Sequence, residues 1–155
     1  MSSAAEQLAA LGLTLPSVTA PVAAYVPAVR TGAYVYVSGQ LPVVDGNLPA
    51  TGKVGAAVSA QDAAGLARTC ALNALAAAAE AAGGLDAIRR IVKVVGFVAS
   101  APGFNAQPAV INGASELLLE VFGEQGKHAR SAVGMAELPL DAPVEVELIA
   151  QLLTF

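Results

Sequence analysis

The sequence predicts an α+β domain built as one mixed sheet with two helices packed on a single face. Two observations carry that expectation. Short β-branched and aromatic segments alternate with two longer alanine- and leucine-rich helical segments, in the order β-β-α-β-α-β-β. The segment Ile91 to Ala99, IVKVVGFVA, is a nearly continuous apolar run whose length and β-branching mark a buried central strand. The chain of 155 residues fits one domain. At that length folding buries roughly 68–70% of the unfolded surface, so no disulfide or metal staple is required.

Taken in order, Ser2-Ser3 before Ala4 to Leu8 caps a short helix that Gly12 ends. Pro16 and Pro21 hold the following residues extended. Residues 1–22 are therefore an N-terminal extension, and residues 23–155 a single domain. Tyr25 to Arg30 and Tyr34 to Ser38 are strands joined by Thr31-Gly32-Ala33, with Pro27 marking an edge or a bulge. Leu41 to Ala57, with Pro42, Asp45-Gly46, Pro49, Gly52 and Gly55, is a long loop of the kind that is often functional. Ser59 and Asp62 start a helix that runs to Ala82, with Leu66, Cys70, Asn73 and Ala77 along one stripe and Gly83-Gly84 as its stop. Pro108 fits the first turn of a second helix, which passes Leu117-Leu118-Leu119 and ends at Gly123. Ala129 to Glu137 and Val144 to Leu153 are the last strands.

On the final strand Val144, Val146 and Leu148 share one face, and Glu145, Glu147 and Ile149 the other. Ala150 to Phe155 then places apolar residues on both faces. With helices on one side of the sheet, this predicts burial of the other side against a second chain. If the last two strands pair as a hairpin around Leu138 to Pro143, Arg130 lies opposite about residue 151 and Glu145 opposite about 136. The two would then sit ~20 Å apart at ~3.4 Å per residue. A site using both would draw them from different chains.

Composition removes several function classes. Apolar residues make up 55% and charged residues 13%, against typical values of about 45–50% and about 25%. Disorder is excluded, and the apolar excess points towards an oligomer. The net charge is −4, with 8 Lys plus Arg and no basic run, so no nucleic-acid partner is expected. Cys70 is the one cysteine, which excludes an internal disulfide and a cysteine-rich zinc site; it reads as a small core residue. His128 is the one histidine. That excludes paired-histidine metal motifs and argues against a Ser-His-Asp hydrolase. Beside Lys127 and Arg130 it reads as a surface residue. No phosphate-binding glycine loop is present. Met1 to Ala10 holds Glu6 and no cation, unlike a signal peptide. No uncharged apolar run reaches about 18 residues. A cytoplasmic protein without metal, cofactor or membrane partner is the expectation.

Three places could carry chemistry. Arg130, in Lys127-His128-Ala129-Arg130-Ser131, could grip a carboxylate with its planar fork, or be a solvated strand-end cation. Glu145 and Glu147, roughly 7 Å apart on one strand face, could do acid–base work or simply face water. Gly39, in Ser38-Gly39-Gln40, permits close backbone approach to a ligand, or ends a strand.

Three ordered motifs resemble one family. Val37-Ser38-Gly39-Gln40-Leu41-Pro42, Ala129-Arg130-Ser131, and Leu138-Pro139 followed by Val144-Glu145-Val146-Glu147-Leu148-Ile149-Ala150 are similar to those of the reactive-intermediate deaminase superfamily. That superfamily is also called YjgF-like and labelled endoribonuclease L-PSP. The likeness covers about Tyr25 to Leu153. It implies a chorismate-mutase-like fold, a homotrimer with ligand clefts between subunits, and metal-free hydrolysis of 2-imino or enamine acids to 2-keto acids and ammonia. By the same resemblance Arg130 clamps the substrate carboxylate and Glu145 positions water or moves a proton. Tyr25 flanks the cleft, Ser38 and Gly39 line it, and Asn112 matches an asparagine of the second helix. Ala132 stands where the family often has cysteine, and an aromatic of the second helix is lost near Ser115. Ala23-Ala24-Tyr25-Val26-Pro27 replaces the common G-P-Y-S-Q. These departures, with the extension and the long loop, mark a divergent, longer branch. A non-catalytic carboxylate-binding trimer is the competing expectation. A ribonuclease fits poorly with the acidic composition, and a chaperone-like role would rest only on the apolar bias.

Overall fold

In the computed structural model, which describes residues 1–153, the five strands follow the spatial order β1-β2-β5-β3-β4. The elements are α1 (Ala4–Ala10), β1 (Ala28–Thr31), β2 (Tyr34–Gln40), α2 (Ala60–Ala82), β3 (Ile88–Ala99), α3 (Gln107–Phe122), β4 (Ala129–Met135) and β5 (Val144–Leu152). β3 and β4 run parallel, with α3 as the crossover between them, and the other neighbours are antiparallel. This is the expected mixed sheet, with strands and helices in the expected order. The tip of the apolar run predicted for Ala150 to Phe155 lies outside the described residues.

Period-2 alternation divides the sheet into two faces. On β5 every second residue from Val144 to Leu152 is buried, while Glu145, Glu147, Ile149 and Gln151 are only partly so. The buried set joins Val35, Val37, Val94 and Val98 beneath the helices. Helix α2 presents Ala67, Cys70, Ala71, Ala74 and Leu75 to that core, and α3 presents Val110, Ile111, Leu117 and Leu118. The other face is open, with Val29, Tyr34, Tyr36, Val133 and Met135 all substantially exposed. Helices α2 and α3 touch closely because Gly113 has no side chain. A Cβ there would overlap the Ala64 carbonyl oxygen.

Sequence expectation and structure part at two points. The last two strands do not form a hairpin. β3 lies between them, pairing Val94 with Arg130 on one side and with Leu148 on the other. The apolar β3 run has two buried edges to satisfy, and a parallel crossover through α3 fills one of them. The predicted ~20 Å between Arg130 and Glu145 therefore falls. Three residues along the strands and two strand spacings across give roughly 14 Å between their Cα atoms. The first strand begins at Ala28 rather than Tyr25. Pro27 has no N–H for a ladder; its carbonyl instead accepts from the Ser38 amide at 2.9 Å.

The N-terminal helix and the long loop are tied down. Ser3 and Glu6 form a capping box on α1. Asp86 Oδ1 accepts from the Ala5 amide at 2.8 Å, and Leu8 is buried. In the loop, Asn73 Nδ2 donates to the Leu41 and Val43 carbonyls at 2.9 and 3.0 Å. Lys53 pairs with Glu137 at 3.1 Å, and Val54 is fully buried.

Candidate functional site

Arg130 points to the helix side of the sheet, at its β4 edge. Its Nη1 donates to Asn112 Oδ1 at 2.8 Å and to Ser115 Oγ at 3.2 Å. Asn112 and Ser115 are three residues apart on α3, hence neighbours on one helix face. None of the ion pairs among the described residues uses Arg130. Its Nε and Nη2 donors therefore remain for a ligand, in the fork geometry that matches a carboxylate. Beside it opens a solvent-connected cavity of about 280 Å³ lined by Asn112, Ser115, Leu119, Gly126, Lys127, His128 and Arg130.

His128 is not the surface residue expected from sequence. It is partly buried, and both ring nitrogens are engaged. Nδ1 lies 2.6 Å from the Gly126 carbonyl oxygen, and Nε2 lies 3.0 Å from Ser115 Oγ. A carbonyl can only accept, so Nδ1 carries the proton. Burial lowers the imidazole pKa below its ordinary 6.5; the Gly126 bond opposes the shift and the Arg130 charge adds to it. The ring is therefore neutral at pH 7, Nε2 is an acceptor, and the Ser115 hydroxyl donates to it. The directions form a continuous chain. Arg130 donates to Ser115, Ser115 to His128, and His128 to the Gly126 carbonyl.

Glu145 sits on the other face of the sheet. Its carboxylate rests against the backbone of β2, where a bulge between Val37 and Gln40 turns Gly39 towards it. A Cβ on Gly39 would collide with Oε1. Burial raises the Glu145 pKa, and the Glu147 charge raises it further. The Ser38 hydroxyl donates to the Val26 carbonyl at 2.7 Å, tying β2 to the segment that carries the exposed Tyr25.

The residues singled out from sequence thus fall into two groups. Arg130 and Asn112 meet at the cavity. Ala132, two residues along β4, faces the same side as Arg130 and packs against the core. Gly39 and Glu145 touch, with Ser38 beside Gly39, on the other side of the sheet. Ser115 was missed as a site residue, and His128 was set aside as a surface residue. Two local signals point to them: Ser115 follows Asn112 by three helical positions, and His128 precedes Arg130 by two. Cys70 is a buried core residue whose thiol pKa is raised well above its ordinary value, chiefly by burial. Among the described residues no cluster of His, Cys, Asp and Glu could hold a metal ion, and no helix is long and apolar enough to cross a membrane.

The family model described as "YjgF/chorismate_mutase-like, putative endoribonuclease" matches residues 5–152. The chain belongs to this family. Protein TCP17 of Trypanosoma cruzi is 45% identical over 149 residues, spanning 96% of this chain and 93% of that protein. The crystal structure of a "putative endoribonuclease" from Shewanella oneidensis superposes with a TM-score of 0.93 at 34% identity, covering 97% of this chain and 100% of that one. E. coli TdcF, solved with bound serine, is 31% identical with a TM-score of 0.59, covering 85% of this chain and 91% of that one. The fold is thus YjgF/chorismate-mutase-like.

Proposed function

We propose that the protein is an imine or enamine deaminase that hydrolyses 2-imino acids to 2-keto acids and ammonia, in a cleft between subunits of a homotrimer. The observation that carries this reading is the Arg130 guanidinium, fixed through Nη1 by Asn112 and Ser115 beside an open cavity. Its free donors suit a substrate carboxylate. An iminium carbon is already electrophilic. The protein need mainly hold the acid, place a water and shield the site. Glu145, with its raised pKa, suits proton transfer near neutral pH better than an ordinary carboxylate does. It would enter the cleft of a neighbouring copy, with Gly39, Ser38 and Tyr25 beside it.

The bound serine of TdcF favours a second reading, a trimer that binds small carboxylates without turnover. One experiment separates the two. Freshly generated 2-iminopropanoate is incubated with the wild type, Arg130→Ala and Glu145→Gln, and pyruvate release is followed. The deaminase reading expects acceleration by the wild type only, with Glu145→Gln still binding the carboxylate. No acceleration with any of several imino acids, while a carboxylate binds in an Arg130-dependent way, would establish the binding module instead.

A further inference from the structure

We propose that Ser115 and His128 form a proton relay into the Arg130 cavity, with the Ser115 hydroxyl touching the reacting water and His128 taking its proton. The inference rests on the deaminase reading. It goes beyond that reading because the cavity, rather than any sequence motif, brings these two residues together.

The geometry gives the relay a direction. Ser115 Oγ to His128 Nε2 at 3.0 Å is the separation of a hydroxyl and its base. The third group, which fixes the ring, is the Gly126 carbonyl at 2.6 Å. Arg130 donates to the same Ser115 oxygen, so a carboxylate on the guanidinium is held next to the hydroxyl. All three side chains line one cavity. The charged groups around the ring are few. Arg130 faces it from β4, and Lys127 precedes it, with its ammonium held by Glu124 at 2.9 Å. Arg90 of β3 donates to the Lys127 carbonyl at 3.2 Å. From α3 the ring meets Ser115, with Asn112 and Leu119 along the same wall, none of them charged.

The proton balance closes. Water adds to the iminium carbon and gives a proton to Ser115 Oγ as the serine passes its own to His128 Nε2. This leaves a neutral carbinolamine and an imidazolium. The imidazolium returns its proton through Ser115 to the amine nitrogen. The C–N bond then breaks, the hydroxyl becomes the ketone, and its proton leaves with ammonia as ammonium. Glu145 from a neighbouring copy would orient the same water and, in the collapse step, carry the hydroxyl proton to the departing ammonia.

Two measurements test the relay. The first uses the intact protein with 15N-labelled histidine, where the single histidine gives one set of signals. The expected state at pH 7 is the neutral ring with its proton on Nδ1, titrating below 6.5. A proton on Nε2 would overturn the relay whether or not the protein is a deaminase. The second measures turnover of 2-iminopropanoate, relative to the uncatalysed rate, from pH 5 to 8. Gln can keep an acceptor near the Nε2 position but cannot take a proton. His128→Gln should therefore lose ~100-fold in kcat, with little change in KM, and lose the fall in rate at acidic pH. Ser115→Ala should lose as much, and Ser115→Thr should recover most of it. If His128→Gln keeps the wild-type rate and pH profile, the histidine only props Ser115 and the relay is wrong. If folded wild type turns over no imino acid, the deaminase reading itself has failed and the relay falls with it.

Discussion

Glu145 shows how one side chain links stability to the site. Its carboxylate is pressed against Gly39, partly out of water and near Glu147. Both causes favour the protonated form, so its folded pKa lies above the ordinary 4.5. The sign of the linkage follows. The folded state binds this proton more tightly than the unfolded state, so stability is highest below the unfolded pKa. It is lost as pH rises through the folded pKa. Glu145→Gln removes that penalty. Thermal melts of the variant and the wild type should therefore coincide near pH 4. The variant should melt increasingly higher as pH rises through the folded pKa of Glu145, and by a constant margin above it. A variant that melts lower at pH 8 would mean that the carboxylate makes a favourable ionic contact in the assembled protein. A carboxylate that destabilises the fold when ionised, beside a glycine that makes room for it, fits the functional role proposed for Glu145.

At the scale of elements, α3 connects the core to the site. One face carries Val110, Ile111, Leu117 and Leu118 into the core, and another presents Asn112 and Ser115 to Arg130. Gly113 lets this helix lie against Ala64 of α2. Gly113→Ala must push the helices apart and should cost about 1–3 kcal/mol, as overpacking does. Urea unfolding would read that loss. The displaced Asn112 and Ser115 should also weaken carboxylate binding, which a variant destabilised elsewhere would not do. The same elements mark what the sequence could and could not reveal. Alternation along β5 placed Glu145 on the face away from the helices because every intervening residue obeys the period of two. Capping signals placed the starts of α1 and α2. Strand adjacency was not legible. Nothing in Ala129 to Met135 distinguishes pairing with the next strand from pairing with the previous one. That choice is made by where α3 packs. The Ser115–His128 contact was not legible either, since it depends on how the start of β4 lies against α3.

At the scale of the whole molecule, one sheet separates the two groups of site residues. Arg130 lies at the β4 edge under α3, while Glu145 faces the open side and leans towards β2. Within one chain the two side chains diverge. The open face that carries Glu145 also exposes Val29, Tyr34, Tyr36, Val133 and Met135, a surface suited to burial against another copy. In the proposed trimer, Glu145 of one protomer would meet Arg130 of the next, through a heterologous contact repeated three times. This arrangement makes a quantitative prediction. Arg130→Ala and Glu145→Gln should each be inactive as pure proteins. Co-expressed in equal amounts, they assemble at random. A site is intact when the protomer supplying Arg130 is the Glu145→Gln variant and its neighbour supplying Glu145 is the Arg130→Ala variant. Each condition holds half the time, so about a quarter of wild-type activity should return. Native mass spectrometry of the mixture would confirm that mixed trimers formed. With mixed trimers present and no activity recovered, both residues must act within one chain, and the sheet would have to bend or the loops rearrange to let them meet.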